Sequence, residues 1–315
     1  MASTTQATST TRPSRKLLAY LQLGKARIYH HSYGWLLAIL LLNLDGYLDR
    51  SSVVPLLLAL LTLQLVQWSA GAADDIGGFR DGSDARNYAG RPAVTVAKKP
   101  LLTGALSEAE AVRFAVTMWV GAVVTAALAA LTYDGPVSIA LVLTFLIGHI
   151  WASQYSWGLK VSYVPLGLEA TIFVITGFTA LLPYWLIAGQ LNAEILLVFT
   201  IFGLWFLMVV EYGNASDREG DAAVNRRTLA VVLSPRTYQV LLAALLVANI
   251  VLLAVLFTST RIAAVGALAV LPLVALQLAQ LYFGAIRQDW RRARFMGILS
   301  LDLGSIGLGV ALLIS

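Results

Sequence analysis

The sequence contains no cysteine, which excludes disulfides, thiolate metal sites and thiol redox chemistry. Only 12% of its residues are charged, against about 25% in ordinary soluble domains, so it lacks the charge to cover a water-exposed globular surface. Its three histidines, His30, His31 and His149, stand at no recognisable metal-ligand spacing. Apolar residues fill the chain instead. They make up 58% of the 315 positions, with a mean hydropathy of +0.76. A net charge of +5 invites nucleic acid as a partner, but the basic residues fall between apolar stretches, where orienting a chain against a lipid bilayer is their better use. No nucleic-acid partner is expected.

A membrane-spanning helix needs roughly 20 mainly apolar residues. Such stretches occur at 30–48, 53–73, 111–132, 136–155, 165–188, 193–210, 237–258, 262–283 and 295–314. The expected fold is therefore all-α, a polytopic membrane bundle of about nine transmembrane helices. The first span is the weakest, because Asn43 and Asp45 interrupt it. Residues 1–27 read as a cytoplasmic N-terminal tail, disordered over its Ser/Thr-rich start and without a cleavable signal peptide; residues 28–315 read as one transmembrane domain.

Lysine and arginine set the orientation. Only Arg50 and Arg261 fall on one face of the membrane, whereas the other twenty fall on the opposite face. The positive-inside rule then places the N-terminus in the cytoplasm and the C-terminus outside. Two cytoplasmic connections are long, at 74–110 and 211–236, and both carry the acidic clusters. Long polar connections in a compact bundle are more often functional than accidental.

The two connections resemble each other. Lys98-Lys99-Pro100-Leu101 runs on to Leu106-Ser107, and Arg226-Arg227-Thr228-Leu229 runs on to Leu233-Ser234. Each follows an acidic cluster at the end of a span, which predicts a duplicated four-helix unit plus a final helix. Ser107 with Glu110 has capping-box spacing, and Ser234-Pro235 reads as an N-cap followed by proline at the first helical position.

The first cluster holds Asp74, Asp75, Asp81 and Asp84; the second holds Asn214, Asp217 and Asp221. If helical, Asp74 and Asp81 share a face, as do positions 214, 217 and 221. Opposed carboxylates repel unless a cation lies between them, and hard oxygen donors select Mg²⁺ or Ca²⁺. Magnesium takes one or two carboxylates and leaves its other positions to water and phosphate oxygens, so a diphosphate ligand suits the pattern. Arg80, Lys98, Lys99, Lys160, Arg226 and Arg227 are the nearby bases that offset the remaining phosphate charge. One such cluster alone reads as solvated loop charge that sets topology; two in equivalent positions, each followed by a basic pair, point to a site. A transporter places its ionisable groups near the midplane, and here the spans hold few, among them Asp45, Glu169 and Asp302.

At these residues the chain resembles the UbiA superfamily of intramembrane prenyltransferases. Asp217-Arg218-Glu219-Gly220-Asp221 running on to Arg227-Thr228-Leu229-Ala230 is similar to that family's D-x-x-G-D and following K/R-T-L-A. Lys99-Pro100-Leu101 to Ser107 is similar to its R-P-L-x-x-G-x-x-S, and Tyr155-Ser156, Leu159-Lys160, Ser162-Tyr163 and Gly167-Leu168-Glu169 to the loop after its fourth span. The first motif departs from the pattern: Asp74 stands where Asn is usual, Gly78 replaces an Asp, and Asn214 stands where an Asp is common in the second.

The resemblance implies Mg²⁺ as cofactor and an isoprenyl diphosphate as substrate. Asp74, Asp75, Asp84, Asp217 and Asp221 would be the principal metal ligands, with Asp81 and Asn214 second. Asp217, Asp221, Lys160 and Tyr155 would be catalytic, and Arg80, Lys98, Lys99, Arg226, Arg227 and Asn214 would contact substrate. Two reactions are open on this reading, prenyl transfer to a lipophilic aromatic acceptor and cyclisation of the diphosphate as in UbiA-type terpene cyclases; a transporter or non-catalytic membrane protein is the third alternative. Trp68, Trp151, Tyr155, Trp157, Phe206 and Tyr212 are candidate cation-stabilising rings, and Glu169 and Tyr163 are weak candidates for a base.

Overall fold

The computed structural model describes residues 13–315. It is all-helical among the described residues, with α1 (Pro13–Leu23), α2 (His31–Leu44), α3 (Val53–Asp81), α4 (Ser83–Asn87), α5 (Ala93–Val96), α6 (Glu108–Thr132), α7 (Ile139–Ser153), α8 (Gly167–Ala188), α9 (Ala193–Ala223), α10 (Leu229–Val232), α11 (Pro235–Ser259), α12 (Leu271–Leu281) and α13 (Trp290–Leu313). A 3₁₀ turn at Ala264–Val270 leads into α12, and a π turn at Tyr282–Ile286 ends it. Seven of these segments are long and apolar enough to cross a bilayer, and α2 and α7 are shorter apolar helices. All nine expected spans are thus helical, although two fall short of a full crossing length.

The reason α2 stops early is visible at Asp45. It is paired with the Arg261 guanidinium, accepts from Tyr184 Oη, and accepts from Asn192 Nδ2 at 2.9 Å. The residue that interrupts the first span therefore ties together the ends of α2, α8 and α9 that lie away from the acidic clusters. In the interior, Trp205 Nε1 donates to Asn249 Oδ1 at 2.7 Å, and Asn249 Nδ2 donates to Gln277 Oε1 at 2.7 Å. This chain crosslinks α9, α11 and α12, where lipid offers no competing hydrogen bonds. Around it lies the main core, with Phe202, Trp205, Tyr184 and Ile201 fully buried.

Two readings of the chain ends of helices change. The acidic clusters are not in loops: α3 continues to Asp81 and α9 to Ala223, each projecting well past the apolar part of its span. Packed structure also begins before residue 28, since Ala19 and Leu23 of α1 are buried against Ala72, Ile76 and Ala111 of α3 and α6. Of the start expected to be disordered, residues 1–15, positions 1–12 lie outside the described residues and α1 begins at Pro13.

The duplicated pattern has a structural counterpart. Helices α3 and α9 are 29 and 31 residues long, α3 is followed by the short helices α4 and α5 and α9 by the single-turn α10, and each connection then leads into a 25-residue helix with a serine N-cap. Ser107 and Glu110 form the reciprocal capping box, and Ser234 Oγ accepts from Thr237 N at 3.2 Å. Caps of this kind stabilise a helix start by about 0.5–2 kcal/mol, and they fix where each connection ends.

Candidate active site

The projecting ends of α3 and α9 face each other across a cavity of about 590 Å³. On one wall are Asp74, Asp75 and Gly78 of α3, then Asp84 of α4 and Lys98 and Lys99 of the following loop; on the other are Asn214, Asp217 and Asp221 of α9, followed by Arg226. Tyr155 and Leu168 line it from below, and Lys25, Arg27 and Arg294 from the remaining sides.

Each of the five aspartates has a cationic partner. Lys25 Nζ lies 2.5 Å from Asp74 Oδ2 and 3.5 Å from Asp75 Oδ1; Lys99 Nζ lies 2.9 Å from Asp75 Oδ1 and 2.8 Å from Asp84 Oδ2. Arg226 reaches Asp74 Oδ1 at 3.1 Å and Asp221 Oδ1 at 3.9 Å, and Arg91 reaches Asp217 Oδ1 at 3.0 Å. Burial of these charges is costly unless they are paired, and here the pairing is complete. The Lys99 ammonium is held above its ordinary range: burial works against its charge, but the carboxylates of Asp75, Asp84 and Asp74 outweigh it. Lys25 is raised for the same balance of reasons, burial against Asp74 and Asp75. Asp84 moves the other way from a paired carboxylate, pushed up to about 6 by burial and by repulsion from Asp75, which together exceed the pull of Lys99.

Two glycines on α3 create the geometry. A Cβ on Gly77 would lie 2.8 Å from the Ser156 carbonyl oxygen, so this glycine admits the loop after α7. That loop supplies Ser156, whose Oγ donates to Asp74 Oδ1 at 2.8 Å, while Arg226 donates to both Ser156 Oγ and Ser162 Oγ at 3.1 Å. A Cβ on Gly78 would lie 2.9 Å from Asp84 Cγ and 3.0 Å from its Oδ2. The Asp84 carboxylate thus occupies the space that a side chain at 78 would fill. The departure of the first motif and the presence of Asp84 are one feature, in which a carboxylate from α4 takes the place of one from α3.

The expected site residues separate into two groups. Asp74, Asp75, Asp84, Asp217, Asp221, Asn214, Tyr155, Lys98, Lys99 and Arg226 line the cavity together. Asp81, Arg80, Lys160 and Arg227 are not among its lining residues. Asp81 accepts from Tyr163 Oη and from Ser83 N at 2.8 Å, anchoring the α3–α4 corner. Arg80 pairs with Glu108 at 2.7 Å above the Trp157 ring, Lys160 lies 5.1 Å over Tyr163, and Arg227 is exposed. For Asp81 the cause is axial: it shares a face with Asp74 but lies about 10 Å further along α3, where it meets Tyr163 of the loop after α7.

Neither weak candidate for a base reaches the cavity. Tyr163 is engaged with Asp81, and Glu169 Oε1 accepts from Leu229 N at 2.7 Å, holding the start of α10. Of the aromatic candidates only Tyr155 lines it, with the Arg226 guanidinium 5.5 Å from its ring centroid. Lys25, Ser156 and Ser162 were missed as site residues. Nothing local marks Lys25, which in sequence is one more topogenic charge before the first span; Ser156 and Ser162 stood inside a motif but carried no charge to single them out.

The five carboxylates fit a hard divalent cation, and the buried Asn214 Nδ2, an N–H donor with no hydrogen-bond partner, suits a phosphate oxygen beside it. Among the described residues no three of His, Asp or Glu converge closely enough to hold an ion as they stand. The ammonium and guanidinium groups occupy that space, so an arriving ion would exchange with them and leave their N–H donors facing its ligand.

Comparison with known proteins agrees. Solved structures share the fold over nearly the whole chain. Digeranylgeranylglyceryl phosphate synthase superposes with a TM-score of 0.68 at 14% identity, covering 95% of this chain and 99% of its own. A UbiA homologue from Aeropyrum pernix K1 gives 0.64 at 16% identity, covering 96% and 98%. A UbiA homologue from Archaeoglobus fulgidus, in a structure bound to DMAPP and Mg²⁺, gives 0.62 at 14% identity, covering 92% and 99%. No curated protein matches the chain by sequence. The model of the UbiA prenyltransferase family matches residues 33–301, and the chain belongs to that family.

Proposed function

We propose that this protein is a Mg²⁺-dependent intramembrane enzyme that ionises an isoprenyl diphosphate and transfers the prenyl group to a lipophilic aromatic acceptor. The observation that carries the reading is the pair of aspartate walls, each with its own cationic partners, facing across one cavity. Asp74, Asp75, Asp84, Asp217 and Asp221 would hold the metal, which supplies positive charge to the leaving diphosphate when bound.

The chain's own residues do the rest. Lys25, Lys99 and Arg226, released from their carboxylates, donate to the phosphate oxygens as negative charge builds on them, in a site whose apolar walls strengthen each contact. Leu168, Val210 and Ile28 line the same cavity and keep water from the allylic cation. Tyr155 lines the cavity with the Arg226 guanidinium over its ring, and that face would be open to the allylic cation once Arg226 has turned to the phosphate. Arg27 and Arg294 line the cavity without a carboxylate partner among the described residues, and they suit an acidic group on the acceptor. In the orientation read from the basic residues, this mouth opens to the cytoplasm and the C-terminus lies outside.

A second reading, cyclisation of the diphosphate, is favoured by the altered first motif at Gly78. The experiment that separates them incubates protein-containing membranes with Mg²⁺ and diphosphates of ten, fifteen and twenty carbons, with and without quinone or phenol precursors. Prenylated acceptor appearing only when acceptor is supplied supports transfer. A cyclic hydrocarbon formed without acceptor replaces it with the cyclase reading, and no Mg²⁺-dependent diphosphate release in either arm would overturn both.

A further inference from the structure

The chain turns from α12 into α13 at the same end of the bundle as the aspartate cavity, since Arg294 near the start of α13 lines that cavity. The corner also holds a separate cavity of about 320 Å³, lined by Tyr282, Phe283, Arg287, Asp289 and Arg292. The two cavities share no lining residue. The backbone of the corner is fixed at several points. Tyr282–Ile286 is a π turn, a wider coil often found at functional positions. Arg287 N donates to Tyr282 O at 3.1 Å, Gln288 N to Gly284 O at 3.1 Å and Asp289 N to Phe283 O at 2.8 Å. From α11, Gln239 Nε2 donates to Ala285 O at 2.9 Å. Asp289 then caps α13, its Oδ1 accepting from Arg292 N at 3.1 Å. Arg287 and Arg292 therefore stand on a braced frame, one on each side of the cap.

Positive charge is left over at this corner. Arg287, Arg291 and Arg292 are exposed, and none of them forms an ion pair among the described residues. In the aspartate cavity, by contrast, Lys25, Lys99 and Arg226 all face carboxylates. The Arg292 guanidinium lies 3.9 Å from the Phe283 ring centroid, a contact that holds its plane and leaves its edge donors to a partner. Apolar side chains continue from the charged groups along both helices. On α12, exposed Leu278 stands one turn deeper than exposed Tyr282; on α13, Phe295, 59% exposed, shares a face with Arg291 and Arg292, and exposed Leu299 follows one turn deeper. We infer that this corner binds the headgroup of an anionic membrane lipid, its phosphate between Arg287 and Arg292 and its acyl chains along the Leu278–Tyr282 and Phe295–Leu299 ridges. Charge complementarity calls for an anion, and the exposed ridges call for an anion that carries hydrocarbon; a free phosphate would leave them unused. In the orientation that the basic residues predict, this end faces the cytoplasm, where the leaflet carries anionic lipid. The inference is independent of the reaction at the aspartate cavity.

The test titrates the full-length protein in detergent with phosphatidylglycerol, with phosphatidylcholine of the same chains, or with inorganic phosphate, reading retained lipid by native mass spectrometry and the shift in melting temperature. Phosphatidylglycerol is expected to stay bound and to raise the melting temperature, and the other two are not. Arg287→Gln and Arg292→Gln should each weaken phosphatidylglycerol about fivefold, as one arginine near an anionic lipid is worth. The double variant should lose about 25-fold if the two act together on one headgroup. Should it fail to fold, the single variants decide. Arg113→Gln, at an exposed arginine of α6, is the control for charge that only sets topology, and its affinity should stay within about twofold of the unaltered protein. Unchanged affinity in the corner variants, or an equal loss in Arg113→Gln, overturns the site and returns these arginines to topology. Equal binding of phosphatidylcholine overturns the selection for an anion, and equal stabilisation by inorganic phosphate overturns the assignment to lipid.

Discussion

If Asp84 occupies the space of a side chain at position 78, a carboxylate introduced at 78 should conflict with it and should also be able to replace it. In Gly78→Asp the new Cβ meets Asp84 Cγ at 2.9 Å and both carboxylate oxygens within 3.1 Å, so one side chain has to move. Steric relief is cheap, because Asp84 is flexible at that end. The charge is not: two carboxylates about 4 Å apart repel by about 4 kcal/mol at an effective dielectric near 20, and Asp84 must also leave its 2.8 Å contact with Lys99. With the metal and Lys99 offsetting part of that repulsion, about 2–3 kcal/mol should remain, a loss of roughly 30- to 150-fold in kcat/KM. Asp84→Ala removes a ligand and should lose about as much. The double variant Gly78→Asp/Asp84→Ala restores one carboxylate to one space, so it should be more active than either single variant, with a coupling energy of at least about 1.5 kcal/mol. The assay is Mg²⁺-titrated diphosphate release from all four proteins, with Gly78→Ala to isolate the steric part. Additive losses in the double variant would refute the shared-space argument.

Asp217→Ala and Asp221→Ala should each remove most turnover while the protein still inserts and purifies as folded material; near-normal release from both would sink the metal-site assignment. Lys25→Ala should raise KM for the diphosphate more than it lowers kcat and should weaken α1 packing little, measured by steady-state kinetics; an unchanged KM would return Lys25 to a topological role. Because burial first, and Asp75 next, push Asp84 up to about 6, Mg²⁺ binding should weaken as pH falls through 6, where a proton must leave before the ion enters. The sign for stability is opposite without metal: ionising a carboxyl whose folded value lies above its unfolded one removes stability as pH rises through about 6. Melting temperatures with and without Mg²⁺ should therefore differ more at pH 8 than at pH 5, and an equal Mg²⁺-induced shift at both would contradict the coupling. Asp81→Asn should leave Mg²⁺ dependence intact while loosening the α3–α4 corner, seen as faster proteolysis near Gly82; a changed Mg²⁺ titration would place Asp81 at the metal after all.

The sequence by itself determined the class, the number and place of the apolar helices, the caps that end the two connections, and the two acidic faces. These are properties of local composition and period, and lipid enforces them strictly because every backbone group must be satisfied within a helix. Serine N-caps at 107 and 234 were legible for the same reason: their partners lie three residues away. Tertiary structure alone decided which charges work together. Asp81 and Asp84 are three residues apart and equally acidic, yet one anchors a corner through Tyr163 and the other fills the space above Gly78, because the left-handed turn at Gly82 folds α4 back over α3. Lys25, Ser156 and Arg226 meet at Asp74 from segments far apart in the chain, and Arg80, Lys160 and Arg227, as basic and as near in sequence, do not. Charge and spacing nominate candidates. Which of them share a cavity depends on where helix rotation and loop closure point each side chain, and those are set by contacts between residues too distant in sequence for any local pattern to record.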